Sequence, residues 1–171
     1  MLSATAWHWI DPAVRYAKAA QALRPGGALA VARYDHVAAP DDDGFFERSR
    51  TCYDRFTPAD DEFHLPEAGE IEVTVEGLAE SGLFEAPAVR TYVVDRTYET
   101  RHYVELLATF SNHRQLDDET REAFLACLAA LIDGEFGGRI RRRLLYQLVV
   151  ARSLRRPGAD RPRSAPATRR G

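Results

Sequence analysis

The chain has 171 residues, the size of one ordinary domain, and 45% of them are hydrophobic, enough to build a core and exclude a disordered chain. The formal net charge of −3 is unevenly spread: from Arg155 onward there are six Arg against one Asp, so the remainder is acidic. That excludes a nucleic-acid-binding core, which needs a basic face on the folded part, and no apolar run approaches the ~20 residues of a membrane span.

Lys18 is the only lysine, and Ala is abundant, the usage of a GC-rich bacterial genome. Cys52 and Cys127 are the only cysteines, each in a helix-like stretch with hydrophobic neighbours. They are expected to be two small buried thiols and not a disulfide or metal pair. The N-terminus has no charged stretch leading into a hydrophobic core, so no signal peptide is expected. The expected location is the cytoplasm, a reducing compartment.

Leu2 to Ala6 is a short apolar segment. Asp11-Pro12 reads as a helix start, Asp capping and Pro in the first turn. The helix runs to Leu23, and Arg24-Pro25-Gly26-Gly27 stops it. Ala28 to Ala32 is continuously apolar, as in a strand buried on both faces of a parallel sheet. Helix, glycine turn and buried strand make the second half of a βαβ unit.

Asp42 and Asp43 are placed to cap a helix over 44–56, with Phe45, Ser49, Cys52 and Phe56 on one side and Phe46 and Tyr53 beside them. Residues 58–72 are acidic and loop-like. The pattern over 73–80 predicts a short helix closed by Ser81-Gly82. Residues 89–98 read as a strand. Thr100 is expected to cap a helix carrying Tyr103, Val104, Leu106, Leu107 and Phe110. Asp117 opens a longer one, in which Phe124, Leu125, Leu128, Leu131 and Ile132 recur at helical spacing. Gly134, Gly137 and Gly138 end it, and 140–152 reads as a strand. Beyond Leu154 the Arg, Pro, Ala, Ser and Gly content predicts a disordered tail.

The segment Ser3-Ala4-Thr5-Ala6-Trp7-His8-Trp9-Ile10-Asp11, followed by Leu23-Arg24-Pro25-Gly26-Gly27 and its buried strand, resembles the middle of a type-11, class I S-adenosylmethionine-dependent methyltransferase. Tyr103-x-x-Leu106-Leu107-x-Thr109-Phe110-Ser111-x-His113-Arg114, the glycines at 137 and 138, and Leu148 to Arg152 are similar to the same family's C-terminal section. The family's Gly-x-Gly-x-Gly cofactor turn and its ribose-binding acid have no counterpart among the eleven glycines and acidic residues here. Gly134 and Gly137-Gly138 follow a helix and not a strand, so they fail the context test.

The resemblance implies an α/β, partial Rossmann-like class I methyltransferase fold. It comprises strands four to seven with flanking helices and a helical lid insertion, the N-terminal strands missing. The implied organisation is a C-terminal methyltransferase portion over 1–154, with 36–87 as the insertion and 155–171 as the tail.

The implied cofactor is S-adenosylmethionine, and the implied partner is a small-molecule methyl acceptor. No membrane and no specific nucleic acid are expected, and the uncovered sheet edge is expected to favour self-association. In open α/β sheets ligands sit beyond the C-terminal strand ends, where the Ser3–Trp9 loop would lie, and the resemblance implies that Ser3, Ala4 and Thr5 touch the methionine end of the cofactor. Trp7, His8 and Trp9 are expected around the acceptor, with His8 the candidate general base. Trp9 also reads as a packing residue beneath the following helix. Asp35, Tyr103 and Ser111 are further acceptor-side candidates, and His113 reads as a surface residue. The competing reading is a non-catalytic fragment that at most binds a partner chain.

Overall fold

The computed structural model describes residues 1–41, 43–57 and 64–154. In chain order the elements are β1 (Leu2–Ala4), a short 3-10 turn (Trp7–Trp9), α1 (Arg15–Ala22), β2 (Ala28–Val37), α2 (Phe45–Phe56), β3 (Ala88–Glu99), α3 (Thr100–Leu107), α4 (Ser111–Arg114), α5 (Asp118–Glu135) and β4 (Arg139–Arg152). This is the mixed α/β class that the sequence implies. The strand order is β1-β2-β4-β3. β1 pairs parallel to β2, with Leu2, Ser3 and Ala4 opposite Ala30, Val31 and Ala32. Ser153 bonds back to Gly27 while Gln147 meets Arg33, so β2 and β4 run in opposite directions. Asp42, the segment 58–63 and the Arg-rich end from 155 lie outside the described residues, and the expected tail with them.

The chain divides into two compact units. The first comprises residues 1–33, 73–90 and the chain from 147. Its core gathers Trp7, Tyr16, Ala19, Ala20, Leu29, Val31, Phe84 and Val149. The helix α1 starts at Arg15, three residues later than Asp11-Pro12 suggests. Asp11 still organises the entry: its carboxylate accepts the Ala13 N–H, and its carbonyl accepts those of Val14 and Arg15. At the other end Gly26 has a φ of +70°, and a Cβ on Gly27 would sit 2.8 Å from the Arg24 carbonyl oxygen. Only glycine fits that close approach.

Residues 73–80 do not form the expected helix. Val73 and Val75 are in irregular backbone and pack on the core, and the chain turns through Gly77 at a φ of +77°. β-Branched side chains and a left-handed glycine both oppose a helix there.

The second unit comprises residues 34–72 and 91–146. Phe45, Cys52, Tyr103, Leu107, Phe124, Leu128, Ile132 and Ile140 form its core. In α2, Phe45, Ser49 and Cys52 are buried, as their spacing predicts. Asp43 accepts the Phe45 N–H at its start. Asp117 caps α5 by accepting the Thr120 N–H, and Asp118 and Glu119 complement the positive end of the helix. Thr100 is not a cap. Glu99 occupies that position, and the Thr100 hydroxyl donates to Asp133 on α5.

Two further expectations are corrected in this unit. Cys52 and Cys127 form a disulfide, with Cα atoms 5.9 Å apart. Packing of α2 on α5 brings the two thiols into bonding range, which separate helix-like segments did not reveal. His113 is 2% exposed and not on the surface. Its Nδ1 lies 2.9 Å from the Leu107 carbonyl, and its ring stacks beside Phe110 and Phe124. Among the described residues no helix is long and apolar enough to cross a membrane.

Candidate functional site

β1 delivers the Thr5–Trp9 loop from the C-terminal end of a parallel strand. The ladder continues one step beyond the strand, where the Thr5 N–H donates to the Ala32 carbonyl at 2.8 Å. Thr5 itself holds a φ of +48°, the only positive value at a non-glycine residue among the described residues. A β-branched residue resists that conformation, so the bend stores strain where the chain leaves the strand. The 3-10 turn at Trp7–Trp9 follows, with the Ile10 N–H returning to the Trp7 carbonyl.

This bend sends Trp7 inward. Its ring lies 5.4 Å from that of Tyr16, and the Arg15 guanidinium stands 5.9 Å from the Trp7 ring and 5.1 Å from the Tyr16 ring. Arg15 is buried and donates from Nη2 to the Glu76 carbonyl at 2.6 Å. The Glu76 carboxylate is exposed and 3.8 Å from the same nitrogen. The Tyr16 hydroxyl donates to the Glu76 carbonyl as well. Two mutually tilted rings and a backbone carbonyl thus hold a positive charge beside the loop.

A cleft of about 140 Å³ opens here, lined by Thr5, Trp7, His8, Arg15, Val31 and Glu76 with their neighbours. Two of the lining residues carry a buried polar atom, Trp7 Nε1 and Arg15 Nε, with no hydrogen-bond partner among the described residues. Ser3 is half-buried and Ala4 exposed, and neither lines the cleft. His8 is exposed at its mouth, with its ring 4.8 Å from that of Trp9.

Trp9 corrects the packing expectation: it is 63% exposed and lies under no helix. The 3-10 turn spends its inward position on Trp7, so Trp9 is carried outward.

Asp35, Tyr103 and Ser111 belong to the second unit and do not line this cleft. Asp35 is half-buried on β2, between Tyr34 and His36, and strand alternation turns it to the opposite face from both. Ser111 is exposed at the first position of α4. Tyr103 is buried, with its ring 5.4 Å from Phe45 and 5.6 Å from Tyr98, and burial raises its hydroxyl pKa above the usual range.

The sequence reading missed Arg15 and Glu76. Arg15 sits between Val14 and Tyr16 on the inner face of α1, and a buried guanidinium there has no pattern signal separate from the apolar stripe. Glu76 acts through its carbonyl, which no side-chain motif encodes.

A cleft of about 140 Å³ is smaller than the ~300–1,000 Å³ of pockets that enclose drug-sized ligands. A cleft of that size does not enclose a drug-sized ligand.

No protein-family model matches the chain, and no curated protein matches it. Solved structures similar to it include one described as a type II methyltransferase from Anaeromyxobacter dehalogenans. It is 18% identical, with 88% of this chain and 62% of that chain covered and a TM-score of 0.41. A structure described as a methyltransferase from Bacillus halodurans C-125 is 16% identical, with 88% and 67% covered and a TM-score of 0.38. One described as a sarcosine dimethylglycine methyltransferase from Galdieria sulphuraria is 17% identical, with 88% and 51% covered and a TM-score of 0.31. The chain thus spans between about half and two thirds of the length of these structures.

Proposed function

We propose that the chain supplies the acceptor side of an S-adenosylmethionine-dependent methyl transfer to a small molecule. The observation that carries this reading is the Thr5–His8 bend. It leaves the C-terminal end of a parallel strand, the place where open α/β sheets bind ligands, and it opens on a cleft lined by Trp7, His8 and Arg15. The Ser3–Trp9 and Leu23–Gly27 motifs, similar to those of the type-11 family, support the same reading.

The cofactor, when bound, supplies a methyl group on a sulfonium. The residues of this chain position and shield the reactants, which is most of what an in-line displacement needs. Thr5, with the neighbouring backbone of Ser3 and Ala4, would border the methionine end. Trp7 walls the acceptor, Arg15 keeps the wall rigid, and His8 is the group placed to take a proton from it. The sequence holds no Gly-x-Gly-x-Gly turn to cradle the rest of the cofactor.

The competing reading, a non-catalytic chain that binds a partner, is favoured by one observation. β1 is a sheet edge, and Met1, Leu2, Trp9 and Ile10 beside it are all exposed.

Titration of the ¹⁵N-labelled 171-residue chain with S-adenosylmethionine separates the two. The methyl-transfer reading expects shifts at the Thr5–His8 amides and the Trp7 indole N–H. A titration in which these signals stay fixed would leave only the partner-binding reading.

A further inference from the structure

β4 carries Arg139, Arg141, Arg142 and Arg143. Alternation divides them between the two faces of the sheet. Arg139 lies 3.3 Å from Glu99, Arg143 lies 2.8 Å from Asp95, and Arg141 pairs with Asp41. Arg142 shares the other face with Ile140 and Leu144, and is only 3% exposed. Among the described residues it has no ion pair, and its Nε has no hydrogen-bond partner. Its guanidinium stands 5.8 Å from the Phe45 ring and 5.5 Å from the Phe46 ring. Those faces favour the charge but accept no N–H fork.

The titratable groups that sense the Arg142 charge, His36, Tyr53, Tyr98 and Tyr103, are all neutral. His36 has a buried Nδ1 that is also without a partner, and burial with the neighbouring Arg142 holds its pKa down at about 4, so it is uncharged near neutrality. The Tyr34 ring lies 5.9 Å from His36 and 5.8 Å from Tyr146. Tyr98 lies 5.6 Å from Tyr103, which in turn lies 5.4 Å from Phe45. Burial raises the hydroxyl pKa of Tyr34, Tyr98 and Tyr103, so all three keep their protons. A buried guanidinium without a counter-ion is costly unless something pairs with it.

We propose that Arg142, with His36 and the hydroxyls of Tyr98 and Tyr103, receives the carboxylate of a small organic acid. One fixed positive charge matches one negative charge, and the planar guanidinium fork matches the two oxygens of a carboxylate. A phosphate dianion would bring a second charge that no neighbouring cation of this face offsets. The site lies wholly within the second unit and does not rest on the methyl-transfer reading.

The test uses the full 171-residue chain, with acetate and benzoate as probes and acetamide and benzamide as their uncharged counterparts. Binding is followed by ligand-observed nuclear magnetic resonance, and thermal stability is measured without ligand. At least one carboxylate is expected to bind about tenfold or more tightly than its amide, a preference that R142M abolishes and Y98F weakens. R142M is expected to melt at the same temperature or higher, because an apolar side chain of similar volume replaces an unpaired buried charge. The proposal is overturned if neither carboxylate is preferred over its amide, or if R142M keeps the preference. A lower melting temperature for R142M would also overturn it, since Arg142 would then be a structural residue.

Discussion

Thr5 and His36 are two residues whose local chemistry is at odds with their surroundings. The left-handed Thr5 backbone costs of the order of 1 kcal/mol that glycine would not incur. Thr5→Gly should therefore raise the unfolding free energy in urea by about 1 kcal/mol while weakening ligand shifts at Trp7. A destabilised variant would show that the Thr5 side chain is packed and not strained. His36 gives a pH signature. Its folded pKa of about 4 lies below its unfolded value of 6.5, so between those values the unfolded chain binds a proton that the folded chain refuses. The contribution is complete above pH 6.5 and is lost as pH falls toward 4, by up to about 3 kcal/mol. Urea unfolding across that window should show a steeper loss for the wild type than for His36→Gln. Parallel curves would contradict the buried, neutral His36.

At the scale of elements, the disulfide ties α2 to α5 across 75 residues of sequence. Replacing both cysteines by serine should cost about 2–4 kcal/mol, chiefly by freeing the unfolded chain, and thermal melting under identical buffers measures it. An unchanged midpoint would mean the bond adds nothing to the helix packing. The Cys52 and Cys127 spacings could not reveal this pair, because helical periodicity reports which face is buried and not which helix it meets. The same limit applies to 73–80, where apolar residues at helix-like spacing serve an irregular segment. In contrast, α2, α5 and the three long strands were legible from caps, periodicity and apolar runs. In the cleft, Trp7 and His8 were legible from their loop, whereas Arg15 was not. Arg142 was legible in principle, because Ile140, Arg142 and Leu144 share one strand face while the arginines on either side take the other.

The whole molecule combines an acidic α/β chain, a β1 edge and a cleft of about 140 Å³. The edge has a consequence in solution. Sedimentation velocity should show concentration-dependent association, and Leu2→Lys, which places a charge on that edge, should reduce it. A monomer at every concentration would remove the edge as an interaction surface.

The cleft has the more direct consequence. Isothermal titration of the 171-residue chain with S-adenosylmethionine should give a dissociation constant weaker than about 100 μM, the affinity of a site that grips one end of its ligand. Micromolar or tighter binding would contradict the claim that this chain holds only the acceptor side of the site.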